Sequence, residues 1–157
     1  MGVRPDPVFR VIEKVSLVGT MAVYDSQADA SERIPRQWRE FRLGHPELGS
    51  SAEFYGASPC TGDRKIHYLA GVAEKGQGGS VDGERLTLEA GEYAVVRVED
   101  AAGLRDTWIW LLRSWLPASG RREKSAPEFE RFAGISEDGA PIGAVEVWIP
   151  LEPLERD

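Results

Sequence analysis

The order strand, helix, strand, strand can be read twice along this chain, and that recurrence constrains the fold more than any other feature. In the first half, Val11 to Tyr24 is rich in β-branched residues and reads as one long strand interrupted at Gly19. A helix starts at or beside Ser31, with Pro35 in its first turn, and puts Ile34, Trp38, Phe41 and His45 on one face. Glu53-Phe54-Tyr55 and Ile66 to Ala73 supply two further strands around the turn-rich stretch Ser58 to Asp63. In the second half, Arg85 to Val98 is a strand pair or one long bent strand broken by Gly91. Leu104, Trp108, Leu111, Leu112 and Trp115 form an apolar helical stripe that stops at Pro117. Glu128 to Phe132 and Ala144 to Ile149 are the last two strands, and Glu74 to Ser80 is a flexible connector by composition.

The halves also match position by position. Trp38 precedes Trp115 by 77 residues, Glu53 and Tyr55 precede Glu130 and Phe132 by 77, and Tyr68 precedes Glu146 by 78. A near-constant offset is what a duplicated β-α-β-β unit leaves; chance likeness between two amphipathic halves is the competing explanation. The expected architecture is α+β, a single domain of two repeats (about 8–75 and 84–152). It has two antiparallel sheets, helices outside, and a ligand groove at the pseudo-two-fold seam.

Composition excludes several classes of function. No run of about 18 apolar residues is present, so no membrane span is expected. The N-terminal Met1 to Pro5 lacks a signal-peptide core, and no Ser or Thr stands at position six to suggest myristoylation. The single Cys60 cannot make an internal disulfide, which fits a reducing cytoplasm. A net charge of −7 argues against direct nucleic-acid binding and suits neutral or cationic partners, although solubility alone explains such a charge. Five Trp in 157 residues hint at a recognition surface or cavity.

Chemistry concentrates in the last strand. Val145, Val147 and Ile149 share one face and should pack under a helix, leaving Glu146 and Trp148 on the other. That other face is either open water or a cavity, and the strand does not choose. A cavity would hold a carboxylate beside aromatic rings, suited to a lipophilic cation. Tyr68 stands at the matched position of the first half, and Tyr24, Tyr55, Phe132 and Trp148 could complete an aromatic lining. Each of these is equally readable as simple core. Trp38, Trp108 and Trp115 anchor helices. Trp110 falls on the far side of its helix, where solvent, a covering loop or a subunit contact could meet it.

Other motifs carry no chemistry. Gly76-Gln77-Gly78-Gly79 lacks the strand-to-helix setting and the Lys-Ser/Thr of a phosphate-binding loop. His45, His67 and Cys60 have no metal-ligand spacing, and no metal or cofactor is expected. Ser119-Gly120 follows a helix-ending Pro and turns the chain rather than forming a nucleophile elbow.

Taken in order, several segments resemble the GyrI-like (AraC effector-binding) family. They are Trp38 and Phe41, Tyr55-Gly56, Tyr68 to Val72, Ala90 to Val95, Trp115 to Gly120, Pro127 to Phe132 and Val145 to Pro150. The resemblance implies a pocket between two β-α-β-β units and places Glu146 at the position of the pocket glutamate in receptors for hydrophobic cations. It also implies a stand-alone member, since these residues contain no basic recognition helix of an AraC- or MerR-type regulator.

The expected function is therefore small-molecule binding of hydrophobic, cationic or aromatic compounds in xenobiotic sensing, sequestration or protection. Glu146, Tyr68, Trp148, Tyr55, Tyr24 and Phe132 are the expected lining. Two alternatives follow from the resemblance. One is a hydrolase of cyclopropane-type electrophiles, with Glu146 as general base and Tyr68 as hydrogen-bond donor. The other is a protein-interaction module acting on DNA gyrase. A homodimer is compatible with Trp110.

Overall fold

The computed structural model describes residues 6–48, 53–75 and 81–154; the remainder of the Gly-rich connector and of the N-terminus read above lies outside them. Eight strands form one antiparallel sheet. In chain order they are β1 (Val8–Ile12), β2 (Val15–Tyr24), β3 (Phe54–Ser58), β4 (Ile66–Ala73), β5 (Glu84–Leu88), β6 (Gly91–Val98), β7 (Glu128–Phe132) and β8 (Val145–Pro150). Their order across the sheet is β1-β6-β8-β7-β3-β4-β2-β5. The two expected sheets are thus joined edge to edge through β3 and β7.

Two short links dictate the shape. β1 and β2 are separated only by Glu13 and Lys14, and β5 and β6 only by Glu89 and Ala90. Each link joins strands that stand six places apart in the sheet. In a flat sheet six places span roughly 29 Å, whereas three Cα steps reach about 11 Å. The sheet therefore curls until its two ends approach. Leu17 of β2 and Leu88 of β5 accordingly pack in one buried cluster with Tyr93 and Val95 of β6, Phe129 of β7 and Trp148 of β8. This inner face is covered by the sheet itself.

The helices lie on the outer face. α1 (Gln27–Gly44) packs on β2 and β4. It starts four residues before the expected Ser31, because the Ser26 side chain accepts the Asp29 N–H and caps the helix there. Pro35 consequently sits in the helix interior, on an exposed side, where a prolyl ring removes one helical hydrogen bond. Trp38 and Phe41 are buried on the expected face, and the His45 ring lies tilted against Phe41.

The second helical region also outruns its expected end. α2 (Leu104–Trp110) passes through a π-helical turn (Leu111–Trp115) into a last α-turn, α3 (Leu116–Ser119). Pro117 does not stop it. The wider turn just ahead relieves the clash between a prolyl ring and the carbonyl four residues back. Gly120, with φ of +76°, ends the helix instead. Trp110 is half-buried against the cluster under this helix, not on a solvent face.

Two further expectations change. Val11 to Tyr24 is not one strand, since the chain breaks at Glu13-Lys14 and its two parts go to opposite ends of the sheet. Arg85 to Val98 forms two strands that do not pair with each other.

Candidate functional site

The alternation of side chains sorts the expected lining onto two faces. Tyr24, Tyr68 and Phe132 belong to the outer-face core under α1, together with Trp38 and Phe54. Tyr55 and Trp148 belong to the inner-face core. Glu146 follows Trp148 inward, because Val145 and Val147 are buried among outer-face clusters. Tyr68 and Glu146 therefore point to opposite sides of the sheet and do not share a site. The residues 78 apart, Tyr68 and Glu146, thus lie on opposite faces, and so do Tyr55 and Phe132, which are 77 apart. A one-residue slip in a strand exchanges its faces.

On the inner face, one row of paired residues runs Gly71, Tyr55, Arg131, Glu146 across β4, β3, β7 and β8. Arg131 holds Glu53 through one amino group and lies 3.7 Å from Glu146 through the other. Glu146 also accepts the Trp148 indole N–H at 3.3 Å. The Glu146 and Arg131 side chains are 35% and 36% exposed, so this is a partly solvated ion pair. Beneath it Phe129 and Trp148 stack 5.2 Å apart, with Tyr93 edge-on to both. Burial pushes the Tyr93 hydroxyl up to about 12 and raises that of Tyr55. The carboxylate expected to receive a cation already has one.

On the outer face, a different carboxylate stands at the seam. Glu130 of β7 pairs with Gly56 of β3 on one side and Val147 of β8 on the other. Trp108 of α2 donates its indole N–H to Oε2 at 2.8 Å, and the Tyr68 hydroxyl donates to Oε1 at 3.1 Å. Trp38 of α1 in turn donates its indole N–H to the Tyr68 oxygen at 3.0 Å. Trp38 and Tyr68 are only 2% and 4% exposed, and Phe132 and Phe54 present their rings to Trp38 edge-on. Glu130 itself retains partial exposure and is linked to α2 through Trp108 and to α1 through Tyr68 and Trp38.

Burial raises the affinity of Glu130 for its proton, while the bonds from Trp108 and Tyr68 lower it. Burial, and then the charge of Glu130, hold the Tyr68 hydroxyl well above its ordinary range. Two residues along the same face, burial and the neighbouring Glu123 push Glu128 up to about 8.

Tyr24 lies at the margin of this core, its hydroxyl donating to Gln37 at 2.7 Å. Gln37 uses its amide nitrogen to bond the Thr20 and Tyr68 carbonyl oxygens, which locks α1 to β2 and β4. Two surface depressions lie elsewhere. One of about 290 Å³ is lined by Gly120, Arg121, Arg122, Glu152, Pro153 and Leu154, and another lies beside Val11, Gly91 and Leu151. Neither touches the two carboxylates. No group of ligands suited to a metal occurs among the described residues, and none of their helices is long and apolar enough to cross a membrane.

Glu130 and Trp108 are the residues that sequence reasoning missed. The signal was present in Glu128-Phe129-Glu130-Arg131-Phe132, where alternation puts two carboxylates on the face of a core phenylalanine.

The family model described as the GyrI-like small molecule binding domain matches residues 7–152, and the chain belongs to that family. No curated protein matches the sequence. Among solved structures, SAV2435 bound to tetraphenylphosphonium is 17% identical with a TM-score of 0.73, over 94% of each chain. An integron cassette protein from the mobile metagenome of Vibrio cholerae is 15% identical with a TM-score of 0.71, over 95% of this chain and 97% of that one. EcmrR in a complex with DNA is 14% identical with a TM-score of 0.61, over 94% of this chain but 57% of that one. At these identities the likeness establishes the fold.

Proposed function

We propose that this GyrI-like domain binds hydrophobic aromatic cations at the seam between α1 and α2, with Glu130 as the counter-charge and Trp108, Tyr68 and Trp38 as its aromatic surround. One observation carries the reading. Both oxygens of Glu130 are held by uncharged donors, Trp108 and Tyr68, in a largely desolvated place. A carboxylate so held keeps an unneutralised charge, and ring faces beside it add cation–π attraction. Glu146, by contrast, is shared with Arg131. The tetraphenylphosphonium carried by SAV2435 is a cation of this chemical class and supplies the probe.

The biological role that follows is sensing or sequestration of lipophilic toxic cations, in the cytoplasm, by a domain of two β-α-β-β repeats. The strand order supports the repeats, since β6-β8-β7 and β3-β4-β2 run in mirrored order on either side of the β3–β7 junction.

Calorimetric titration with tetraphenylphosphonium tests the site. Glu130→Gln is expected to lose at least tenfold in affinity at pH 7.5, and Glu146→Gln to stay within about threefold of the native protein. The reverse ranking would transfer the counter-charge to the inner face and end the proposal as stated.

A further inference from the structure

The hydrogen bonds at the seam have a direction. An indole N–H can only donate, so Trp38 occupies the Tyr68 oxygen as a donor and Trp108 occupies Glu130 Oε2 as a donor. The Tyr68 hydroxyl has a single proton. With Trp38 facing its oxygen, that proton is directed away from α1 and onto Glu130 Oε1. We infer that Trp38 is the positioning residue of this site: its N–H fixes the direction in which Tyr68 shares its proton, so that Glu130 receives hydrogen bonds and has nowhere to give one. The inference rests on the proposed role of Glu130 as counter-charge, and it explains how that charge persists where burial opposes it.

The physical argument compares the two protonation states. The carboxylate needs donors on both oxygens and has them. A protonated Glu130 would have to donate, and Tyr68 is the partner able to accept on the Oε1 side. Accepting would force the Tyr68 proton to swing elsewhere, and the Trp38 N–H already occupies another side of that oxygen. The relay therefore disfavours the protonated form without contributing any charge of its own.

The surrounding charges are few. Tyr68 on β4, Tyr24 on β2 and Glu128 on β7 are titratable groups on this side of the sheet, and the charge of Glu123 acts on Glu128. On α1, Arg42 is directed to the Ile135 carbonyl oxygen. On α2, Arg105 and Asp106 are exposed. Arg131 is on the opposite face with Glu53 and Glu146.

The test reads Glu130 directly, by ¹³C-carboxyl NMR titration of the ligand-free protein, with Glu130→Gln identifying the signal. Trp38→Phe keeps an aromatic ring in the core and removes the N–H together with part of the indole. Its Glu130 midpoint is expected about half a unit to one unit above native. Tetraphenylphosphonium affinity measured by equilibrium dialysis should move its acidic limb upward by the same amount and keep the same plateau at high pH. A folded Trp38→Phe whose Glu130 midpoint coincides with the native one overturns the relay. Should that variant not fold, Tyr68→Phe decides: an unchanged midpoint there overturns the inference equally. If no form of the protein binds the cation, the proposed function fails, while the NMR midpoints still decide the relay.

Discussion

A Cβ placed on Gly56 would lie 1.9 Å from the Tyr68 hydroxyl oxygen. The missing side chain on β3 is thus what lets Tyr68 lie across the neighbouring strand and reach Glu130 on β7. Gly56 itself needs no unusual backbone angle, so its contribution is space alone. Gly56→Ala is expected to displace the Tyr68 ring, lower stability by about 1–3 kcal/mol through overpacking, and weaken tetraphenylphosphonium binding. Urea unfolding and calorimetry measure the two effects, and a loss of stability with full binding would detach Tyr68 from the site.

Glu128 sets a pH dependence with an unusual sign. Its folded value of about 8 stands above the ordinary carboxylate value of 4.5. The folded state then holds the proton more tightly than the unfolded state between these limits. Stability from this group is present below about pH 4.5 and is lost as pH rises through about 8. Glu128→Gln should be more stable than native at pH 8, by on the order of 1–3 kcal/mol, and nearly equal to it at pH 4.5. Unfolding curves at the two pH values check this; equal differences at both would remove Glu128 as the cause.

The inner-face ion pair should matter little for stability. Arg131 and Glu146 are each about one-third exposed and 3.7 Å apart. Screening by solvent limits such a pair to about 1 kcal/mol or less. Glu146→Gln is therefore expected to shift the urea midpoint only slightly, and added salt should shrink even that difference. A loss of several kcal/mol would mean that the curled sheet depends on this charge.

Gly139 is expected to tolerate no side chain. Its φ is +86°, and a Cβ would stand 2.2 Å from the Pro35 carbonyl oxygen. The β7–β8 loop can thus lie against α1, where Arg42 also bonds the Ile135 carbonyl oxygen. Gly139→Ala should cost at least about 2 kcal/mol, combining positive-φ strain with displacement of the loop. Thermal unfolding by calorimetry measures the loss, and an unchanged melting temperature would show the loop free to move aside.

The elements and the family are legible in the residue order alone. Hydrophobic periodicity located the helices and most strands, because burial of one face imposes period 3.6 or period 2 on any chain that folds this way. The segments from Trp38 to Pro150 pointed to the GyrI-like domain, which the family match and the fold bear out. What one strand shows is its own alternation. Val145, Val147 and Ile149 were correctly set against Glu146 and Trp148, but that pattern does not reveal which residues of other strands lie on the same side.

Which residues share a side follows from the folded sheet. The two-residue links at Glu13-Lys14 and Glu89-Ala90 force the sheet to curl, so the inner face closes over Tyr55, Phe129 and Trp148, and the outer face carries the helices. Register then placed Arg131 beside Glu146, and Gly56 beside Glu130. Glu130 stands 62 residues from Tyr68 and 22 from Trp108, and its bonds to both depend on how β3 meets β7 and how α2 crosses the sheet. Periodicity is a local property of the chain, whereas the charge state of a carboxylate depends on whatever folding brings within hydrogen-bond reach.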